Sequence, residues 1–271
     1  MNAKAGWVAN AVKLVFSLMY GIPLIWIVLT SVKSSKDVFS SDKTFFFTPV
    51  LTSYIEAVDG KLIDALVQSV IIASGTTALA LLIAVPAAYG LARTTGPIPL
   101  IGLGLLIVLQ MMPQSANVIP LFQVFGSWGI LDTTLAVIVA DTALLTPFAI
   151  LLLRPFFRSV PIALEEAASI DGAGTIEVFL RIVIPVARNG LYTVGTIVFL
   201  LSWGEFLYAV NFFLSPGGYP LSASLAEQVS AFGIDWPGLM ALAVITSIPI
   251  LLIFLSTYRL LRDGLTVGAV K

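Results

Sequence analysis

A chain of 271 residues that is 58% hydrophobic and 11% charged, with a mean hydropathy of +1.02, is too apolar for a water-soluble domain. Soluble domains run at about 45 to 50% apolar and about 25% charged. The net charge of −1 and thinly spread Lys and Arg suggest no nucleic-acid footprint, and zero Cys and zero His exclude disulfides, thiolate metal sites and imidazole catalysis.

A helix needs about 20 apolar residues to cross about 30 Å of hydrocarbon, and six stretches meet that length. The N-terminal MNAKAGWVANAVK leads into a first span over 12–32. No small-residue cleavage pattern follows that span, so it reads as a retained helix and not as a removed signal peptide. A second span covers 65–92, without charge between Asp64 and Arg93, and a third covers 98–118. The charge-free run from Thr94 to Leu131 is too long for one span, so the chain is expected to turn near Pro113 and Pro120. It would continue as the interfacial segment PLFQVFGSWGILD. The fourth span, 133–153, contains Asp141; the fifth, 187–209, contains Glu205; the sixth covers 237–258. None of these runs sustains period-2 alternation, which excludes a β-barrel and predicts an all-α integral membrane protein, one transmembrane domain over 1–271 with six transmembrane helices.

Six spans place both termini on one side, and the Lys and Arg distribution selects which side. With the termini inside, Lys4, Lys13, Arg93, Arg154, Arg158, Arg181, Arg188, Arg259, Arg262 and Lys271 are inside, against Lys33, Lys36, Lys43 and Lys61 outside. Ten against four predicts cytoplasmic N- and C-termini.

The cytoplasmic loop over 154–186 then holds a concentration of charge unusual for this chain: Glu165, Glu166, Asp171, Glu177 and Arg181 around Gly172-Ala173-Gly174. Ser159 is expected to cap a helix with Pro161 in its first turn, and Glu165 and Glu166 sit early enough to complement its dipole. Gly172 and Gly174 permit a turn that a β-carbon would hinder. A second helix is expected from Thr175 to Pro185, with Ile176, Phe179, Leu180 and Val183 at amphipathic spacing. Helix physics alone reads this segment equally as a protruding knob, with Ala167 and Ala168 permitting close approach by another protein, or as a connector lying on the lipid surface.

Glu166-Ala167-Ala168, three residues, Gly172, nine residues, Ile182, one residue and Ile184-Pro185 resemble the EAA signature of ABC importer permeases, with Ile184 where that signature has Leu. SWGEFLYA (202–209) is similar to the WNEFLYA stretch of sugar-importer permeases, differing at Gly204. GLTVGAVK (264–271) resembles the ending of the second permease subunit in maltose-type systems, and AAYGLAR (87–93) and PLFQVFGSWGILDT (120–133) are similar to stretches of the same group. The resemblance implies a carbohydrate-uptake permease in a bacterial or archaeal cytoplasmic membrane. It implies four kinds of partner: a second, homologous permease, two nucleotide-binding ATPase subunits, an extracellular solute-binding protein and the lipid bilayer. The loop between spans four and five would be the coupling helix, with Glu165, Glu166, Ala167, Ala168, Asp171, Gly172 and Gly174 facing the ATPase. No Walker-type G-x-x-x-x-G-K-[ST] occurs, so this chain is expected to be no enzyme and to bind no cofactor, with ATP and Mg in the ATPase partners.

Polar residues within spans are functional candidates by default. Gln110, Gln114 and Asn117 are about one helical turn apart and are expected to share a face whose amides suit sugar hydroxyls. Asp141 and Glu205 read either as pathway residues or as internal bonds between helices. Trp203 and Tyr208 fit stacking on a sugar ring or anchoring at the membrane interface, and Tyr208 fits the anchor better. A secondary transporter would show broken helices or ionisable relays in repeated halves, which are not seen here. An importer for a non-sugar solute stays open.

Overall fold

The computed structural model describes residues 3–58, 62–230 and 233–267. Lys61, Lys271 and the last four residues of the GLTVGAVK tail lie outside them. The main helices are α1 (Ala3–Ser31), α2 (Leu62–Arg93), α3 (Ile98–Met111), α4 (Gln114–Trp128), α5 (Thr134–Ser159), α6 (Ile162–Ile170), α7 (Thr175–Trp203), α8 (Leu207–Phe212) and α9 (Trp236–Val267). Among the described residues, five helices are long and apolar enough to cross a membrane, and α3 with α4 makes a sixth if that pair is one bent span.

Two of the expected spans differ from the helices observed. The third breaks at Met112 and Pro113, both extended, and α4 leaves α3 at 89°. The cause is local: a residue before proline is pushed out of the α region. Gln110 therefore lies on α3 while Gln114 and Asn117 lie on α4, so the three amides do not share one helical face. The fifth span starts earlier, at Thr175, and runs through Pro185 to Trp203. A π-helical turn over Phe179–Val183 ends just before Pro185, which then occupies the first turn of an α-helical stretch where its missing N–H matters least.

Residues 1–64 and 224–249 form one compact unit and residues 65–223 and 250–271 another. In the first, Ser34 caps a helical turn at Ser35–Val38, and Lys43 Nζ pairs with Asp37 Oδ1 at 2.6 Å. That hydrogen bond holds the Asp37 carboxyl below its ordinary value. Lys33 is buried, donates to Thr44 O at 2.9 Å and lies over the Trp26 and Phe47 rings. A two-residue antiparallel ribbon pairs Val229–Ser230 (β1) with Gly233–Ile234 (β2).

The second unit has its core along α5. Toward the C-terminal end of α5, Ala149, Leu153 and Phe157 pack with Ala80, Ala84 and Ala88 of α2 and with Ala187, Val194 and Val198 of α7. In lipid, association of helices depends on close van der Waals packing, which small residues allow. Gly190 is the tightest such place: a Cβ there would lie 2.3 Å from Phe156 Cγ. Toward the N-terminal end of α5, Ala136, Val137 and Ala140 pack with Phe125, Tyr208 and Phe212.

Asp132 clamps the loop after α8. Its carboxylate accepts from the Leu214 and Ser215 amides at 2.9 and 3.2 Å and from the Ser215 hydroxyl at 3.1 Å. These bonds, the Leu214 amide first, hold its carboxyl below the ordinary value.

Two outcomes follow from this packing. Gly190→Ala overpacks the α5–α7 contact and is expected to destabilise the protein by about 1 to 3 kcal/mol, read as a lower thermal midpoint in detergent. Because the folded pKa of Asp132 is depressed, its clamp is fully formed above the unfolded carboxylate value and is lost only as pH falls through the lower folded value. Amide exchange at Leu214 and Ser215, corrected for intrinsic rate, should be equally protected at pH 7 and at about pH 5. Asp132→Asn should lose that protection at both.

Candidate functional site

The hairpin between α5 and α7 is built from local signals. Ser159 is the last residue of α5 and its hydroxyl returns to Phe156 O at 2.7 Å, so it does not cap α6. Pro161, extended, precedes α6 instead and offers no side-chain cap. α6 ends where Gly172 adopts φ +92. Ala173 N donates to Ala168 O at 3.0 Å and Gly172 N to Ser169 O at 3.1 Å, the paired bonds of a left-handed helix stop. Gly174 has φ −73 and ψ 159, ordinary extended backbone, so the turn depends on Gly172 and not on both glycines.

The hairpin has two faces. Val160, Ala168, Ala173, Val178, Phe179 and Val183 turn inward onto the core of α2, α5 and α7. Ala168, expected at a partner's surface, is thus used inside the chain. Glu165 is inward too: its carboxylate accepts from Arg93 Nε at 2.7 Å and from the Tyr89 hydroxyl at 2.7 Å. The outer face carries Glu166, Ala167 and Asp171, all exposed, with Ile170 86% and Ile176 75% exposed. Glu177 and Arg181 pair with each other at 2.5 Å on the helix surface. Large exposed apolar side chains beside unpaired acids are what a protein-docking surface presents.

Several of the polar residues expected within spans meet at the break between α7 and α8. Glu205 Oε1 accepts from Tyr208 N at 2.6 Å and Oε2 from Ala209 N at 3.0 Å, so it caps α8. Gln114 Nε2 donates to Glu205 Oε1 at 3.0 Å, and the Ser222 hydroxyl donates to Glu205 O. Gln110 Nε2 ties α3 to α5 through Leu144 O at 2.9 Å. Asp141 is 1% exposed; the Ser202 and Thr76 hydroxyls and the Glu205 carboxylate face it. Trp203 is buried and stacks on Phe199, and Tyr208, 1% exposed, stacks on Phe212 at 5.4 Å. Tyr208 is a core residue, not an interfacial anchor. Asn117 faces Tyr208, and both line a cavity of about 280 Å³ with Met112, Pro120, Leu144 and Pro147.

Arg93, Tyr89, Thr76 and Ser202 were not singled out as site residues by sequence. The AAYGLAR stretch holds two of them, but nothing in a linear sequence pairs residue 93 with residue 165.

A family model described as "Binding-protein-dependent transport system inner membrane component" matches residues 80–267. The chain is 33% identical over 251 residues to the sulfoquinovosyl glycerol transport system permease protein SmoH of Agrobacterium fabrum, covering 92% of this chain and 88% of that one. It is 30% identical over 253 residues to the trehalose transport system permease protein SugB of Mycobacterium tuberculosis, covering 92% of each. A solved structure of a bacterial ABC transporter that imports the acidic polysaccharide alginate superposes with a TM-score of 0.78 at 20% identity, over 94% of this chain and 96% of that one. The chain therefore belongs to the inner-membrane components of binding-protein-dependent transport systems: it is the multi-pass permease of an ABC importer, not its ATPase.

Proposed function

We propose that this permease forms half of the translocation pathway for a sugar or a related polar solute, beside a second, homologous permease. ATP hydrolysis in two separate subunits drives it, and an extracellular binding protein delivers the solute. The observation that carries the coupling half of this reading is the two-faced hairpin: an inner face locked into the core and an outer face that exposes Glu166, Ile170 and Ile176. Such a knob fits a groove on an ATPase subunit, with Glu166 set against a partner cation and Asp171 at the rim. The positive-inside count supports a cytoplasmic knob and cytoplasmic termini. The sugar half of the reading rests on relatives whose names carry sulfoquinovosyl glycerol and trehalose. An importer of a non-sugar polar solute is the second reading, since the hairpin serves any cargo.

For the pathway, the reading takes Gln110, Gln114, Asn117, Asp141, Trp203, Glu205 and Tyr208 as the polar and aromatic set near the α3–α4 bend and the α7–α8 break. Of this set Asn117 and Tyr208 line the cavity, which supports Asn117, with its amide, as the candidate for direct contact with a solute.

Three outcomes test this. The isolated chain shows no ATP turnover, and co-purification recovers a second permease and an ATPase; turnover by the chain alone would refute the assignment. Gly172→Val forces a β-branched residue into φ +92, at about 1 to 3 kcal/mol. Both it and Glu166→Lys should still insert in the membrane. They should lose transport and binding-protein-stimulated ATP turnover; wild-type values in both would make the hairpin a mere connector. Asn117→Leu removes a hydrogen bond worth about 0.5 to 1.5 kcal/mol. It should raise the half-saturating solute concentration several-fold with complex yield unchanged, using the member of a trehalose-containing sugar panel that raises the binding protein's Tm. An unchanged value withdraws Asn117 from the pathway.

A further inference from the structure

Glu165 differs from its neighbour Glu166 in where it points, and that difference has a mechanical consequence. The hairpin is joined covalently to α5 and α7, but its hold on α2 is non-covalent. Among the described residues its polar ties to α2 run through one cluster. Arg93, the last residue of α2, sets Nε at 2.7 Å and Nη2 at 2.5 Å from Glu165 Oε1, and Nη2 also donates to Val160 O at 3.0 Å. One guanidinium therefore grips the side chain of α6 and the backbone just before α6. Tyr89, one turn earlier, donates to the other Glu165 oxygen at 2.7 Å and lies under the guanidinium at 5.7 Å. Its ring touches Phe157 of α5 edge-on at 5.9 Å and Phe179 at the start of the π-helical turn of α7 at 4.8 Å. Four helices meet at this point.

The pair is stiff for physical reasons. Its side chains are only 17% and 13% exposed, so salt screens it little. A guanidinium fork fixes distance and direction at once, which the point charge of a lysine does not. A cation at the C-terminus of α2 is also favoured by the helix dipole.

We propose that Arg93 and Glu165, buttressed by Tyr89, are positioning residues that transmit displacement of the hairpin to α2, which, unlike α5 and α7, has no covalent join to it. The proposal rests on the hairpin being the coupling element. It separates two jobs within adjacent residues: Glu166 docks the ATPase, and Glu165 carries its movement into the membrane.

The test uses the complete transporter in proteoliposomes with its binding protein, loaded with the panel sugar identified above. Glu165→Gln, Arg93→Met and the milder Tyr89→Phe should leave co-purification of the ATPase and basal ATP turnover within about two-fold of wild type. Stimulation by the loaded binding protein and solute uptake should fall at least ten-fold in the first two and less in Tyr89→Phe. Arg93→Lys should be intermediate, because it keeps the charge and loses the fork. The exchange Arg93→Glu with Glu165→Arg should recover part of the stimulation that either single change abolishes. A merely structural pair would lose assembly in step with uptake, which would overturn the proposal. Wild-type stimulation in Glu165→Gln and Arg93→Met would overturn it as well. Glu166→Lys, run in parallel, separates the two readings. If it releases or uncouples the ATPase while Glu165→Gln behaves as wild type, only the strut falls. If Glu166→Lys itself transports normally, the coupling reading falls and the strut falls with it.

Discussion

Hydrocarbon supplies no hydrogen-bond partners, so backbone groups freed where a membrane helix breaks must be answered by protein. The break between α7 and α8 shows the principle at work. Gly204 interrupts the helix, and the free amides at the start of α8 are taken by the two oxygens of Glu205, one of which also accepts from Gln114 of α4. Without Glu205 the N-terminus of α8 would be uncapped within a buried core. The same demand explains Gln110, whose amide reaches a backbone oxygen of α5. Polar residues that look functional because they lie within spans are here also the bonds that hold broken helices together.

In the hairpin charge is used differently. The hairpin concentrates acids, yet they do not act alike. Glu165 is committed to Arg93 and Tyr89, Glu177 to Arg181, and Glu166 and Asp171 remain on an outer surface with Ile170 and Ile176. A surface of this kind is consistent with a docking face, and its inner counterpart is packed into the α2, α5 and α7 core. A contact that ties the hairpin to the helices beneath it is what the proposed coupling between two sites would require.

Much of this was legible from residue order. Span existence followed from charge-free length, the helix–turn–helix form of the hairpin from Gly172, and the α-helical class from the lack of period-2 alternation. What escaped did so for identifiable reasons. The turn expected near Pro113 occurs there as a right-angle break, but Pro120 lies inside α4, and amides expected on one face end on two helices. Pro185 did not end a helix because a π-helical turn places it in a first turn, a local detail that sequence periodicity does not reveal. Ser159 was expected to cap and instead closed α5. The Arg93–Glu165 pair spans 72 positions and is a product of tertiary packing, invisible to any local pattern.

The absence of cysteine makes the central claim open to direct measurement. Ile170→Cys introduces a single thiol at the tip of the hairpin, where the native side chain is 86% exposed. A membrane-impermeant maleimide should label it in inverted vesicles but not in right-side-out ones when the permease is produced without its ATPase. Assembly with the ATPase should then protect the thiol. Labelling from the extracellular side, or equal labelling with the ATPase bound, would contradict a cytoplasmic hairpin that seats in the ATPase.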